Sequence, residues 1–181
     1  MGYSLSWLAV RGKDAATVRN ALGLRDTGER EEIPDSPLLG ADLPGGWYLV
    51  FANRCDFADS APLAKLSSAA DVVTCSVEEH VMYSSAASWN NGRQVWSVIH
   101  DAQQGAGHLD AVGELPPGFG PIRDRLWEEQ AARGDADYLF DIPVELAKAL
   151  IGFRHDQDTP GTPPAPFTRL ASAKKWWQIW K

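Results

Sequence analysis

Residues 72–101, VVTCSVEEHVMYSSAASWNNGRQVWSVIHD, decide the fold. Val72–Glu79 reads as a strand, and two further runs, Val81–Asn90 and Arg93–Asp101, flank Asn91-Gly92. That dipeptide favours a two-residue type I′ turn, in which both central residues take positive φ, so the segment reads as a strand followed by a hairpin. Pairing residue for residue outward from Asn91-Gly92 sets Tyr83 opposite His100 and Met82 opposite Asp101. In that register Tyr83, Ser85, Ala87 and Trp89 share a face with Gln94, Trp96, Val98 and His100, and Trp89 and Trp96 are diagonal neighbours. The Trp89/Trp96 pair is a candidate surface for stacking a ligand, although cross-strand aromatics more often cover a sheet beneath a helix.

Upstream, Tyr3, Leu5, Trp7 and Ala9 alternate with Leu8 and Val10 on the opposite face, which predicts a first strand over residues 3–11. A helix follows, from Asp14 as N-cap through Val18, Ala21 and Leu22 to Gly23. Residues 25–46 are polar and broken by prolines and glycines, so they read as a long loop. Trp47–Phe51 is a buried strand, and a short helix is expected around Pro62–Ala70.

Downstream of the hairpin a Gly-rich loop, Gln104–Gly120, leads to a helix from Pro121 to Ala132 with Ile122, Leu126 and Trp127 inward and Gly134 beyond its end. A last helix opens at Asp141-Ile142-Pro143, with Asp141 as cap. It carries a Leu146, Ala147, Leu150 stripe and closes at Gly152. The expected architecture is α+β: a single domain over residues 1–155, with a mainly antiparallel sheet of about five strands covered by three or four helices. A proline-rich linker, 156–168, and a basic Trp-rich segment, 169–181, are appended to it.

The 181 residues are 44% hydrophobic and 23% charged, an ordinary globular composition. Charge is uneven. Residues 159–181 hold Arg169, Lys174, Lys175 and Lys181 and no acid, and this +4 within a formal net charge of −7 leaves −11 on residues 1–158. Such a body repels nucleic acid and favours basic partners. Cys55 and Cys75 have neither metal-site spacing nor the density of a disulfide scaffold, which suits reduced thiols in a cytosol. The N-terminus lacks a basic region ahead of a long apolar run, and no apolar stretch has membrane-span length, so a cytoplasmic protein is expected.

If residues 173–180 are helical, Ala173, Trp176, Trp177 and Trp180 share one face, with Lys174 and Lys175 elsewhere. Three tryptophans so close together call for a docking surface: the acidic body, another subunit, a partner groove or an anionic membrane surface. Trp176, Trp177, Trp180, Lys174 and Lys175 are therefore the expected partner-binding residues, with a homo-oligomer as one outcome.

Catalytic signals are sparse. His100, Asp101, His108 and Asp110 cluster at and after a strand end, where imidazoles and carboxylates serve as metal ligands or as acid and base, yet their spacing matches no metal signature. A small metal-assisted hydrolase centred on His100 and Asp101 is the enzymatic alternative. The adjacent pair His155-Asp156 needs further ligands that the sequence does not identify. Arg54 beside Cys55 bears on a thiol pKa, but a lone cysteine near a strand end is usually a packing residue. Neither a phosphate-binding glycine motif nor a nucleophile elbow occurs, and no cofactor or resident metal is implied. The acidic runs Glu29-Arg30-Glu31-Glu32 and Glu78-Glu79 suit a basic partner or simple solvation.

The stretches Trp89–Trp96 with Ile99-His100-Asp101, and Phe140–Ala147 with Gly152–Asp156, resemble a family of small cytosolic bacterial proteins of unassigned function. The general character is similar to that of acidic immunity proteins that neutralise toxins. That resemblance implies a non-enzymatic protein-binding module with a basic protein partner, and it brings no catalytic residues.

Overall fold

A computed structural model of the chain describes residues 2–134 and 136–173. They form β1 (Ser4–Arg11), α1 (Ala15–Leu22), β2 (Leu24–Glu31), β3 (Leu38–Leu43), β4 (Trp47–Ala52), α2 (Phe57–Ser60), α3 (Leu63–Leu66), β5 (Asp71–Glu78), β6 (Tyr83–Asn90), β7 (Arg93–Asp101), β8 (Asp110–Gly113), α4 (Phe119–Arg133), α5 (Asp141–Ile151) and β9 (Phe167–Ser172). The strands make one antiparallel sheet in the order β2-β9-β3-β4-β1-β5-β6-β7-β8. The expected sheet of about five strands with an appended tail is thereby corrected. The described sheet has nine strands, and residues 167–172 lie inside it, hydrogen-bonded between β2 and β3.

Alternation in the central strands builds two cores. Leu5, Trp7 and Ala9 of β1, Leu49 and Phe51 of β4, and Val73, Cys75 and Val77 of β5 pack against α4 and α5. Leu8 and Val10, Tyr48 and Val50, and Val72 point the other way, toward Val18 of α1 and Leu66 of α3. Burying a large apolar side chain stabilises by roughly 1.5–3 kcal/mol. The whole strand-propensity scale spans only about 1 kcal/mol. Strands buried on both faces are therefore unmistakable, whereas the four that were not foreseen are short, charged or glycine-broken.

β2 (LRDTGERE) buries only Leu24 and is interrupted by a register shift between Asp26 and Arg30, with Gly28 at φ 82. Its charges belong to an outer strand that must not pair with another chain. β3 (LLGADL) contains Gly40 because the Tyr48 ring lies over it, and a Cβ there would sit 2.2 Å from the Tyr48 hydroxyl oxygen. β8, at the other edge, is four residues long.

The Asn91-Gly92 turn has φ of 49 and 77, as the sequence predicts, and Trp89 faces Gln94. The register then slips between Ser88 and Trp89, so that Ser88 opposes Trp96 and Tyr83 opposes Asp101. A one-residue slip exchanges faces. Trp96 joins the core beneath α4 and α5, while Trp89 packs on the other face, beside Val72. The Trp89/Trp96 stacking pair is thus corrected: the two rings lie on opposite sides of the sheet.

Asp14 caps α1 as expected, accepting from the Thr17 amide at 2.7 Å, and Gly23 closes it in the left-handed region. Asp141 does not cap α5. It is the first helical residue, and its carboxylate accepts from Arg154 instead. Trp127 and Leu150, expected inward, are 45% and 37% exposed. The helix expected over Pro62–Ala70 is only the single turn of α3.

Candidate functional site

The structure brings His100, Asp101 and His108 together as a hydrogen-bonded strand terminus. His100 is fully buried; its Nδ1 lies 2.7 Å from the His108 carbonyl oxygen and its Nε2 lies 2.9 Å from Asp137 Oδ2. A carbonyl only accepts, so Nδ1 carries a proton, and both ring nitrogens are occupied. His108 Nδ1 accepts from the Asp101 amide at 3.0 Å. The Asp101 carboxylate accepts from the Gln104 side chain and the Gln103 amide, which holds it below the usual carboxylate range. Asp110 lies exposed on β8, paired with Ile99. Among the described residues no group of three or more His, Cys, Asp or Glu is placed to hold a metal ion.

Other candidates also have structural partners. Cys55, the candidate thiol, is half-buried, and its neighbour Arg54 pairs with Asp56 at 2.8 Å; burial pushes the other thiol, Cys75, up to about 12, far from thiolate chemistry. Glu29 and Glu31, on β2, pair with Arg169 on the neighbouring β9. Glu78 accepts from Ser4 and lies 2.6 Å from His80 Nδ1, and Glu79 accepts from the Tyr3 amide. The residues Lys174, Lys175, Trp176, Trp177 and Trp180 lie outside the described residues.

A concave site forms where the chain leaves α5. Gly152, at φ 77, turns the backbone so that Phe153 inserts edge-on among the rings of Trp7, Phe51 and Phe167 at 5.7, 6.3 and 6.3 Å. Arg154 then folds back, donating to Asp141 at 2.8 Å and to Asp156 at 2.7 Å. Burial alone would raise Asp156, but the Arg154 hydrogen bond and charge outweigh it and hold the carboxyl below its ordinary value. His155 meets Tyr3 edge-on at 4.9 Å, and its Nδ1 is buried with no partner among the described residues. Burial pushes the His155 imidazole down, which keeps it neutral near pH 7.

His155 and Asp156 form the wall between two open clefts, one of about 690 Å³ and one of about 530 Å³. The larger runs from Tyr3 past the β2–β3 connection at Glu32, Ile33 and Pro34 to Pro163, Pro164 and Pro166, over a floor of Phe153 and Phe167. Glu32, Asp156 and Asp158 line it, and among the described residues no lysine or arginine does. Among the described residues Glu32 and Asp158 have no ion pair, so only Asp156 is neutralised. Tyr3 at 46% and Ile33 at 64% exposure are two of the more exposed large apolar residues.

No family model, curated protein or solved structure matches the chain. The chemistry of the cleft rests on the residues themselves: an apolar floor, proline walls and unpaired carboxylates, with a neutral histidine in place of a cation. The sequence names His155-Asp156 but not its distant neighbours, because Tyr3 and Glu32 reach it only through the fold. Residues 156–168 read as a spacer by composition, whereas they form one wall of the cleft; a run of prolines facing an aromatic floor is the one signal that points there.

Proposed function

We propose that the protein is a non-enzymatic binding module of the bacterial cytosol that engages a basic protein partner through this cleft, as an immunity protein masks a toxin. One observation carries the reading: among the described residues every formally charged side chain lining the larger cleft is acidic, around exposed Tyr3 and Ile33. A cationic segment with an apolar anchor complements both features, its charges steering the approach and its anchor supplying the desolvated contact. The enzymatic alternative draws no support from His100, which is fully buried with both nitrogens engaged. No helix among the described residues is long and apolar enough to cross a membrane.

The test is a titration with two synthetic peptide sets, one pairing lysines with aromatic residues and one pairing glutamates with the same aromatics. The cationic set is expected to bind and to shift the resonances of Tyr3, Ile33 and His155. Binding should weaken as salt rises from about 0.05 to about 0.5 M. Joint substitution Glu32→Lys and Asp158→Lys should abolish it. Equal binding of both sets, or binding indifferent to those substitutions, would remove the cleft from the proposal.

A further inference from the structure

We infer that the smaller cleft is a second subsite for the same partner: it takes a lysine or arginine side chain from the segment whose apolar anchor fills the larger cleft, so that recognition continues over the His155-Asp156 wall. The inference rests on the reading of the larger cleft as a receptor for a basic protein segment. Three observations carry it.

The first is a carboxylate fixed in place at the cleft. Glu79, in the turn between β5 and β6, accepts from the Tyr3 amide through Oε2 at 2.9 Å. Gly2 lies so close to it that a Cβ there would stand 2.9 Å from Glu79 Cβ. Among the described residues Glu79 has no ion pair, and its Oε1 has no hydrogen-bond partner. A carboxylate fixed through one oxygen and open at the other suits a charged donor brought by a ligand.

The second is the charge around it. Glu79, Asp141 and Asp156 line the smaller cleft, and among the described residues Arg154 is the one arginine or lysine that does. Arg154 is already committed, donating to Asp141 at 2.8 Å and to Asp156 at 2.7 Å. His80, also in the lining, has its Nδ1 2.6 Å from Glu78. Each basic group there has an acid of its own, and Glu79 is left over for a cation from outside.

The third is an apolar side. Met82 ends the same turn at φ 51, a conformation that glycine adopts without strain and methionine does not. Backbone bonds hold it there: the Met82 amide donates to the Glu79 carbonyl at 3.4 Å, and the Ala102 amide donates to the Met82 carbonyl at 3.1 Å. The Met82 side chain packs on the margin of the core and, with Phe140, lines the cleft. The aliphatic stem of a lysine or arginine lies along such a surface while its head group meets a carboxylate.

Tyr3 and His155 join the two subsites. Tyr3 lines the larger cleft, its amide holds Glu79 in the smaller one, and its ring meets that of His155, which lines both. Once an anchor is seated beside Tyr3, a basic residue nearby in the same segment reaches Glu79 as an intramolecular contact, which adds affinity at little further entropic cost.

The probes are synthetic peptides with one tryptophan and one lysine in a glycine and serine background, the lysine moved through successive positions on either side of the tryptophan. With the full chain, one spacing is expected to bind roughly tenfold more tightly than the rest, as one hydrogen bond to a charged group would give. That peptide alone should shift the Met82 methyl resonance. Glu79→Gln keeps an acceptor for the Tyr3 amide and removes the charge, so it should bring the favoured peptide down to the level of the others and leave those unchanged. Met82→Gly, which relaxes the backbone and removes the apolar side, should reduce the same preference. Affinity that is independent of spacing, lost on joint Glu32→Lys and Asp158→Lys but untouched by Glu79→Gln, overturns the subsite and leaves the larger cleft as the receptor. A spacing preference that survives Glu79→Gln also overturns it, because the lysine then sits elsewhere. Binding of none of the peptides at about millimolar concentration overturns both readings.

Discussion

Desolvation of His155 gives the fold a pH window of its own. Burial lowers its pKa in the folded state, and its Nδ1 has no partner among the described residues to offset that loss of water. The unfolded chain takes up this proton near pH 6.5. Between that value and the lower folded one the unfolded state binds more protons, so stability is full above about pH 6.5 and falls as pH drops through the window. Carboxylates behave differently. Glu78, held low by hydrogen bonds from Ser4 and His80, and Asp71, held low by Arg11, stabilise above the unfolded carboxylate range and are lost only as pH falls below about 4. His155→Gln should therefore flatten the decline in urea midpoint between about pH 6.5 and pH 5, leaving the acid limb in place. An unchanged slope in that variant would show that the imidazole is not desolvated.

At the scale of elements, β9 is the test of what belongs to the fold. A chain stopping at Thr168 loses Arg169, Leu170, Ala171 and Ser172, which separates β2 from β3, strips Arg169 from Glu29 and Glu31, and removes buried Leu170 from the α1-side core. A chain stopping at Ala173 keeps every one of these. The first should lose its cooperative thermal transition or drop in melting temperature by several degrees, since burial of one large apolar side chain is worth roughly 1.5–3 kcal/mol. The second should melt close to the full chain. Equal melting of the two would take β9 out of the cooperative unit. The same strand shows where the sequence stops being legible. Ser4–Arg11, Trp47–Ala52 and Asp71–Glu78 are visible because both faces are apolar, and Asn91-Gly92 because its turn chemistry is local. FTRLAS buries one large apolar residue on each face, Phe167 and Leu170, without the alternation that marks a strand, and only its two partners, far away in sequence, make it one. The hairpin slip at Ser88 is hidden for a related reason: the turn specifies two pairs, and core packing of Trp96, Val98 and His100 specifies the rest. In the site, His155 and Asp156 are visible as residue types, but the cleft they divide is a product of topology.

For the molecule as a whole, the order of strands predicts an order of stability. β1 lies between β4 and β5, all three nearly continuous in buried residues, and the two helical layers close over them. The strands β5 to β8 follow one another as a meander joined by local turns. The other half depends on β9 returning from the far end of the chain to Glu31 and Leu39, a closure of high contact order. Edge strands have fewer buried contacts and one unpaired side, so their amides open by local fluctuation rather than by global unfolding. β2 buries only Leu24 among its eight residues, and β8 buries none of its four. Amide hydrogen exchange should rank accordingly. β1, β4 and β5 should exchange only through global unfolding, with protection that falls in step with denaturant. β9 should be better protected than β2, because it is paired on both sides and buries Phe167 and Leu170. β2 and β8 should exchange faster than β1 with little denaturant dependence. Protection of β2 equal to that of β1 would mean that another surface covers this edge, and β9 exchanging faster than β2 would place it outside the sheet.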